Sequence, residues 1–190
     1  MKTLIITAHP SSLGFTHKIA LAYKAGAESV GCEVEVVDLY REPGKQAYLS
    51  FEDIKDPSVD ELRDIYQKKI SEANNIVFVH PLWWGSMPAI LKNFIDCNFT
   101  PRFAYRYING RPVGLLKGRT ASVYITCDGS IWIYRLLACP FKITWRFIIL
   151  GMCGLKVKNI SVLDKKLKRT EGELNIFLEK VNSDARKLKK

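Results

Sequence analysis

Five short runs rich in β-branched residues, at positions 4–7, 34–39, 76–80, 121–126 and 157–163, constrain this chain more than any other feature. They are apolar almost throughout rather than alternating, the pattern of parallel strands buried on both faces. Helical patterns separate them: residues 15–30, stopped by Gly31; 59–73, opened by Ser58 after Pro57; and 88–97, with Pro88 at the start. Right-handed crossovers then place helices on both faces of the sheet. The expectation is an α/β fold with a three-layer, doubly wound, five-stranded parallel sheet, spanning residues 1–190 as one domain. Ligands of such sheets bind at the carboxyl ends of the strands, at the topological switch point.

Composition narrows the function classes. At 190 residues, 47% apolar and 25% charged, the chain fits one soluble domain. The apolar start at residues 4–7 is too short for a signal peptide. The most apolar stretch, 147–155, is bracketed by Arg146 and Lys156 well short of a membrane span, so a cytoplasmic protein is expected. Five scattered cysteines and three histidines form no ligand pattern, and no metal is expected. The net charge of +10 is concentrated in residues 135–190, which hold 14 Lys and Arg against 5 Asp and Glu. No nucleic-acid reading motif accompanies them, so no nucleic acid is expected as a partner.

Three segments after predicted strands carry the chemistry. Residues 9–17 (HPSSLGFTH) offer hydroxyls and backbone N–H groups at a helix start, an arrangement that suits phosphate, with Ser11, Ser12 and Thr16 as contacts. Serines that only cap the helix are the alternative. Residues 80–92 (HPLWWGSMPAILK) place two tryptophans among prolines, a rigid aromatic platform for a flat ring system or a cover for a sheet edge or subunit interface. Residues 125–130 (ITCDGS) close the fourth strand and follow it. Two longer excursions, 42–57 and 98–117, interrupt the alternation.

Together with residues 99–105 (FTPRFAY), 114–119 (GLLKGR) and Asp38-Leu39-Tyr40, these segments resemble the NAD(P)H:quinone oxidoreductase family, a flavodoxin-like group that includes ancillary reductases of potassium-efflux systems. The resemblance runs from the first strand to the fifth in the same order. It implies a homodimer with one noncovalent flavin per subunit, FMN by preference over FAD because no separate region for an adenine is evident. His9, Ser11, Phe15 and Thr16 would hold the phosphate end. Pro81, Leu82, Trp83 and Trp84 would run beside the isoalloxazine, with Thr126, Asp128 and Gly129 on its other edge. Tyr105 and Tyr107 would reach the neighbouring subunit's pocket, and Tyr134 would match a tyrosine that balances charge during hydride transfer. The implied activity is ping-pong: hydride from NADPH or NADH to the flavin, then to a quinone-like acceptor.

The chain departs from the family pattern at two points. Cys127 and Asp128 stand where paired glycines are usual, and a carboxylate beside the ring would oppose the charge of reduced flavin unless Asp128 points away. No histidine follows His80 to pair with Tyr134. Residues 131–155 interleave Trp132, Tyr134, Phe141, Trp145 and Phe147 with Arg135, Lys142 and Arg146. They read as a fourth helix, broken or kinked at Pro140, that packs on the sheet and against a partner subunit, lies on an anionic membrane at its inner face, or forms a lid. Leu174, Phe177, Leu178 and Val181 predict a final amphipathic helix. Two other functions fit the same fold: a flavodoxin-type electron carrier, and a regulatory flavoprotein subunit of a membrane transporter.

Overall fold

The computed structural model describes residues 1–50, 60–136 and 140–188. Ser58, Pro57 and Cys139 lie outside the described residues. Five strands form one parallel sheet: β1 (Lys2–Thr7), β2 (Glu33–Asp38), β3 (Asn75–Pro81), β6 (Thr120–Thr126) and β7 (Lys156–Leu163), in the order β2-β1-β3-β6-β7. The chain therefore changes direction across the sheet between β1 and β3, and the switch-point crevice opens there.

The strands read as unbroken apolar runs because both of their faces are covered. Leu4, Ile6, Ile76, Phe78, Val123 and Ile125 pack on one side. Their neighbours Ile5, Val77, Val79 and Tyr124 pack on the other, as the two-residue period of a strand requires. The first side is covered by α2 (Glu61–Glu72), α3 (Ala89–Asn98) and a helix whose first turn, α5 (Phe141–Ile143), continues as a π-helix over Thr144–Gly151. The second side is covered by α1 (Phe15–Glu28) and α6 (Glu171–Arg186). A side chain at Gly26 would lie 2.4 Å from the Asn182 carbonyl oxygen, so the glycine lets α1 and α6 touch backbone to backbone.

The helices begin and end close to their predicted limits. Asp60, which accepts from the Arg63 N–H at 3.1 Å, caps α2 in place of the predicted Ser58. Thr170 and Glu173 form a capping box on α6. Thr170→Ala is expected to cost about 1 kcal/mol of stability, read as a lower urea midpoint with an unchanged denaturant slope.

Two stretches expected as loops hold built structure, the second of them at its described residues. Within 98–117 lies an antiparallel hairpin, β4 (Tyr105–Ile108) and β5 (Arg111–Gly114), closed by Asn109 and Gly110 at φ 50° and 74°. It is pinned by a glycine seam: a Cβ at Gly114 would sit 2.2 Å from the Gly154 nitrogen. In the 42–57 loop, Asn93 donates to the carbonyls of Gln46 (2.9 Å) and Ala47 (3.1 Å), while Asn98 and Gln46 join side-chain amides at 2.8 Å. The predicted fourth helix is divided: α4 (Ile131–Leu136) precedes Pro140, which caps α5.

Candidate active site

The loops after β1, β3 and β6 meet at the carboxyl edge of the sheet. In the first, Gly14 is the N-cap of α1, with no side-chain cap and no acidic residue in the first turn. The serines therefore do not cap the helix. Its first-turn N–H groups and the positive end of its dipole are thus met by no capping side chain and no acid. His9 folds back beneath the turn. Its Nδ1 accepts from the Ser11 N–H at 3.1 Å, and a Cβ at Gly14 would lie 2.8 Å from the imidazole ring. Phe15 and Thr16 are buried, and the Thr16 hydroxyl meets that of Thr126 at 3.4 Å, joining α1 to the end of β6.

Arg41, just past β2, braces this loop. Its guanidinium donates to the carbonyls of His9 (3.2 Å) and Pro10 (2.6 Å) while pairing with Asp38 at 2.8 Å. Bidentate bracing by a planar cation fixes the loop's path. The sequence gives no signal for this role beyond the position of Arg41 directly after Asp38-Leu39-Tyr40.

The second loop is a two-residue turn. Trp83 and Ser86 exchange backbone bonds at 2.9 Å each way, with Trp84 at φ 51° and Gly85 at φ 75°. Left-handed backbone at Trp84 carries strain. It leaves that indole fully exposed, while Trp83 is partly covered and tilts toward His9 at a ring distance of 6.3 Å. Pro81 pairs in register with Thr126, and the Leu82 N–H donates to the Thr126 carbonyl at 2.7 Å. The platform is thus fixed directly to the third loop.

In that third loop Cys127 turns inward and Asp128 outward into solvent. The Cys127 thiol donates to the Gly129 carbonyl at 3.3 Å; burial, aided by Asp164 and Asp128, pushes its pKa up to about 11. Backbone N–H groups of Lys165 and Lys166 hold the carbonyls of Gly129 and Cys127 at 3.2 and 3.1 Å. Tyr134 lies over the loop, its ring so close that a Cβ at Gly129 would stand 3.3 Å from the phenol oxygen. Asp164 caps α4 through the Ile131 N–H (3.1 Å) and pairs with Arg169 (2.9 Å). Burial opposes the charge on Asp164, yet these two contacts outweigh it and hold the carboxyl below its ordinary range.

His9, Ser11, Phe15, Thr16, Pro81, Leu82, Trp83, Trp84, Thr126, Asp128 and Gly129 therefore lie on the three adjoining loops or on the strand and helix ends that flank them, and Tyr134 stands on α4 against the third. Tyr105 and Tyr107 stand on the hairpin, packed edge to face at 5.8 Å, with Tyr107 exposed. Burial raises the pKa of the Tyr105 phenol.

An open parallel sheet with an anion-ready helix start, an aromatic turn and a glycine loop at its switch point defines a flavodoxin-type binding fold. A family model described as flavodoxin-like fold matches residues 1–180. An NAD(P)H oxidoreductase of Haemophilus influenzae is 31% identical over 186 residues, covering 92% of each chain. An FMN-dependent NADH:quinone oxidoreductase of Caldicellulosiruptor bescii is 32% identical over 134 residues, covering 65% of this chain and 64% of the relative. The crystal structure of Smu.1420 from Streptococcus mutans UA159 superposes with a TM-score of 0.89 at 27% identity, covering 99% and 100% of the two chains. The chain belongs to the flavodoxin-like NAD(P)H:quinone oxidoreductase family.

Proposed function

We propose that this chain is a flavin-dependent NAD(P)H:quinone oxidoreductase that holds FMN in the crevice above β1, β3 and β6 and reduces quinone-like acceptors. The observation that carries the reading is the uncapped, acid-free start of α1 beside the Trp83–Trp84 turn and the Gly129 loop. These residues fit the cofactor's two ends. The N–H groups of the first turn suit a phosphate dianion, and a rigid aromatic turn suits the edge of a flat ring. Bound FMN supplies a ring that takes up hydride from NADPH or NADH and returns it to an acceptor.

The protein's own residues bind and orient. Arg41 holds the carbonyls of residues 9 and 10, so the loop's donors are aligned before a ligand arrives. Leu82, tied to Thr126, sets the platform height. Tyr134, over Gly129, places a phenol where a proton can be held beside the crevice. Asp128 stands in water, where its charge is screened, so the departure from paired glycines is compatible with reduction. A second copy of the chain completes the site, its Tyr105 and Tyr107 covering the ring from the hairpin.

An anaerobic absorbance scan of the purified protein tests this. NADPH or NADH is expected to bleach a yellow spectrum that a soluble quinone restores, and extraction is expected to yield FMN. A colourless protein that neither FMN nor FAD reconstitutes would sink the proposal. A yellow protein that neither nucleotide bleaches would make it a carrier instead.

A further inference from the structure

Asp38, the last residue of β2, stands behind the phosphate end of the crevice. Its side chain is only 13% exposed, and each carboxylate oxygen is engaged. Oδ2 takes the Arg41 guanidinium at 2.8 Å, with His17 Nδ1 at 3.6 Å, while Oδ1 accepts from the Tyr40 N–H at 3.1 Å. His17 is the third residue of α1, and its Nδ1 has no hydrogen-bond partner. Arg41 donates onward to the carbonyls of His9 and Pro10. One carboxylate therefore faces both the loop after β1 and the first turn of the helix that follows it. Residues 2–27 hold no Asp or Glu, so neither β1, its loop nor the start of α1 offers a second acid for this position.

We propose that Asp38 is a positioning residue for the cofactor phosphate, acting through Arg41. This role opposes what its charge alone does. A carboxylate near an anion site repels a phosphate dianion, so a neutral residue here should tighten binding and leave the charge of Arg41 uncompensated beside the ligand. The contacts reverse that sign. Asp38 pulls the planar guanidinium into a fixed orientation in which its fork spans two successive carbonyls. A peptide unit is planar, so holding the carbonyls of residues 9 and 10 sets two consecutive peptide planes of the loop. The second of them carries the Ser11 N–H, which is aimed at His9 Nδ1. Without the carboxylate the guanidinium is free to leave those carbonyls, and the loop loses the path that shapes the phosphate end. The role rests on the reading that the start of α1 takes the phosphate of FMN.

Fluorescence titration of the apoprotein with FMN and with riboflavin, the same ring without a phosphate, tests it. The Asp38→Asn protein is expected to bind FMN about tenfold more weakly, the difference between a charged and a neutral hydrogen bond, and riboflavin as tightly as the parent does. Charge alone gives the opposite sign for FMN, and a loosened fold lowers both ligands together. Arg41→Lys keeps a cation beside Asp38 but cannot span two carbonyls. It is expected to lose FMN affinity in the same selective way, and it serves as the test if the asparagine variant does not fold. FMN binding equal to or tighter than the parent's, or an equal loss for FMN and riboflavin, would overturn the inference. In those cases the parent still binds FMN and the quinone reductase reading stands. A parent that takes up no flavin sinks that reading, and the role of Asp38 with it.

Discussion

Ser11→Glu is expected to weaken FMN binding by about a hundredfold while leaving the fold as stable as before or slightly more so. The two effects have opposite signs for one reason. Ser11 is exposed and contributes its backbone N–H, not its hydroxyl, to the contact with His9. A carboxylate here meets the unpaired N–H groups and positive dipole of α1, which its first turn otherwise leaves uncompensated. That is worth a few tenths of a kcal/mol to the helix. The same carboxylate occupies the ground of a phosphate dianion. Like charges about 4 Å apart near a surface repel by several kcal/mol before salt screening, and about 3 kcal/mol remaining corresponds to the hundredfold. Ser11→Gln, similar in size and neutral, is expected to retain most affinity. Flavin fluorescence titration of the apoprotein measures the first effect and urea denaturation the second. Equal affinity of the Glu and Gln variants would remove the phosphate from this end of the crevice.

How much of this arrangement the sequence disclosed depends on how local its causes are. The five sheet strands were readable because burial on both faces forces unbroken apolar runs, and their carboxyl ends located the three site loops. The hairpin escaped that reading. Tyr105–Ile108 and Arg111–Gly114 are four residues each and largely exposed, so no core pattern marks them, although Asn109-Gly110 between them is a strong two-residue hairpin turn signal. The π-helix was unreadable for a different reason. Its inward residues Phe141, Trp145 and Leu150 follow a four-then-five spacing that an ordinary helical period does not weight. Arg41 was hidden because its role depends on carbonyls thirty residues away, which become its neighbours only when β1 and β2 pair. Asp128 could be recognised as a departure from the family, but only the fold shows it turned out to water with Cys127 turned in.

His80 makes the second large effect a matter of pH. It is the penultimate residue of β3, a strand buried throughout, and is fully enclosed against Trp145 at a ring distance of 5.5 Å. Its Nδ1–H donates to the Pro81 carbonyl at 2.8 Å, and Nε2 has no hydrogen-bond partner. Burial pushes its pKa down from 6.5 to about 4, the Pro81 bond offsetting only part of the shift. Above pH 6.5 the imidazole is neutral in both folded and unfolded chains and its titration costs nothing. As pH falls below 6.5 the unfolded chain takes up a proton that the folded one refuses, so stability drops until the folded pKa is reached. The full span is about 3 kcal/mol, of which about 2 kcal/mol is lost by pH 5. That window is free of the carboxylates whose pKa is lowered in the fold, Glu72, Asp164 and Glu173, because their contribution is lost only below their ordinary values of 4.5, 3.8 and 4.5. His80→Leu keeps an apolar side chain against Trp145 and removes the titration. Urea midpoints of the parent chain are expected to fall steeply between pH 7 and 5, and those of the leucine variant to stay nearly level. Parallel pH slopes would mean that His80 takes up its proton without unfolding the chain, through water reaching Nε2 between β3 and the π-helix.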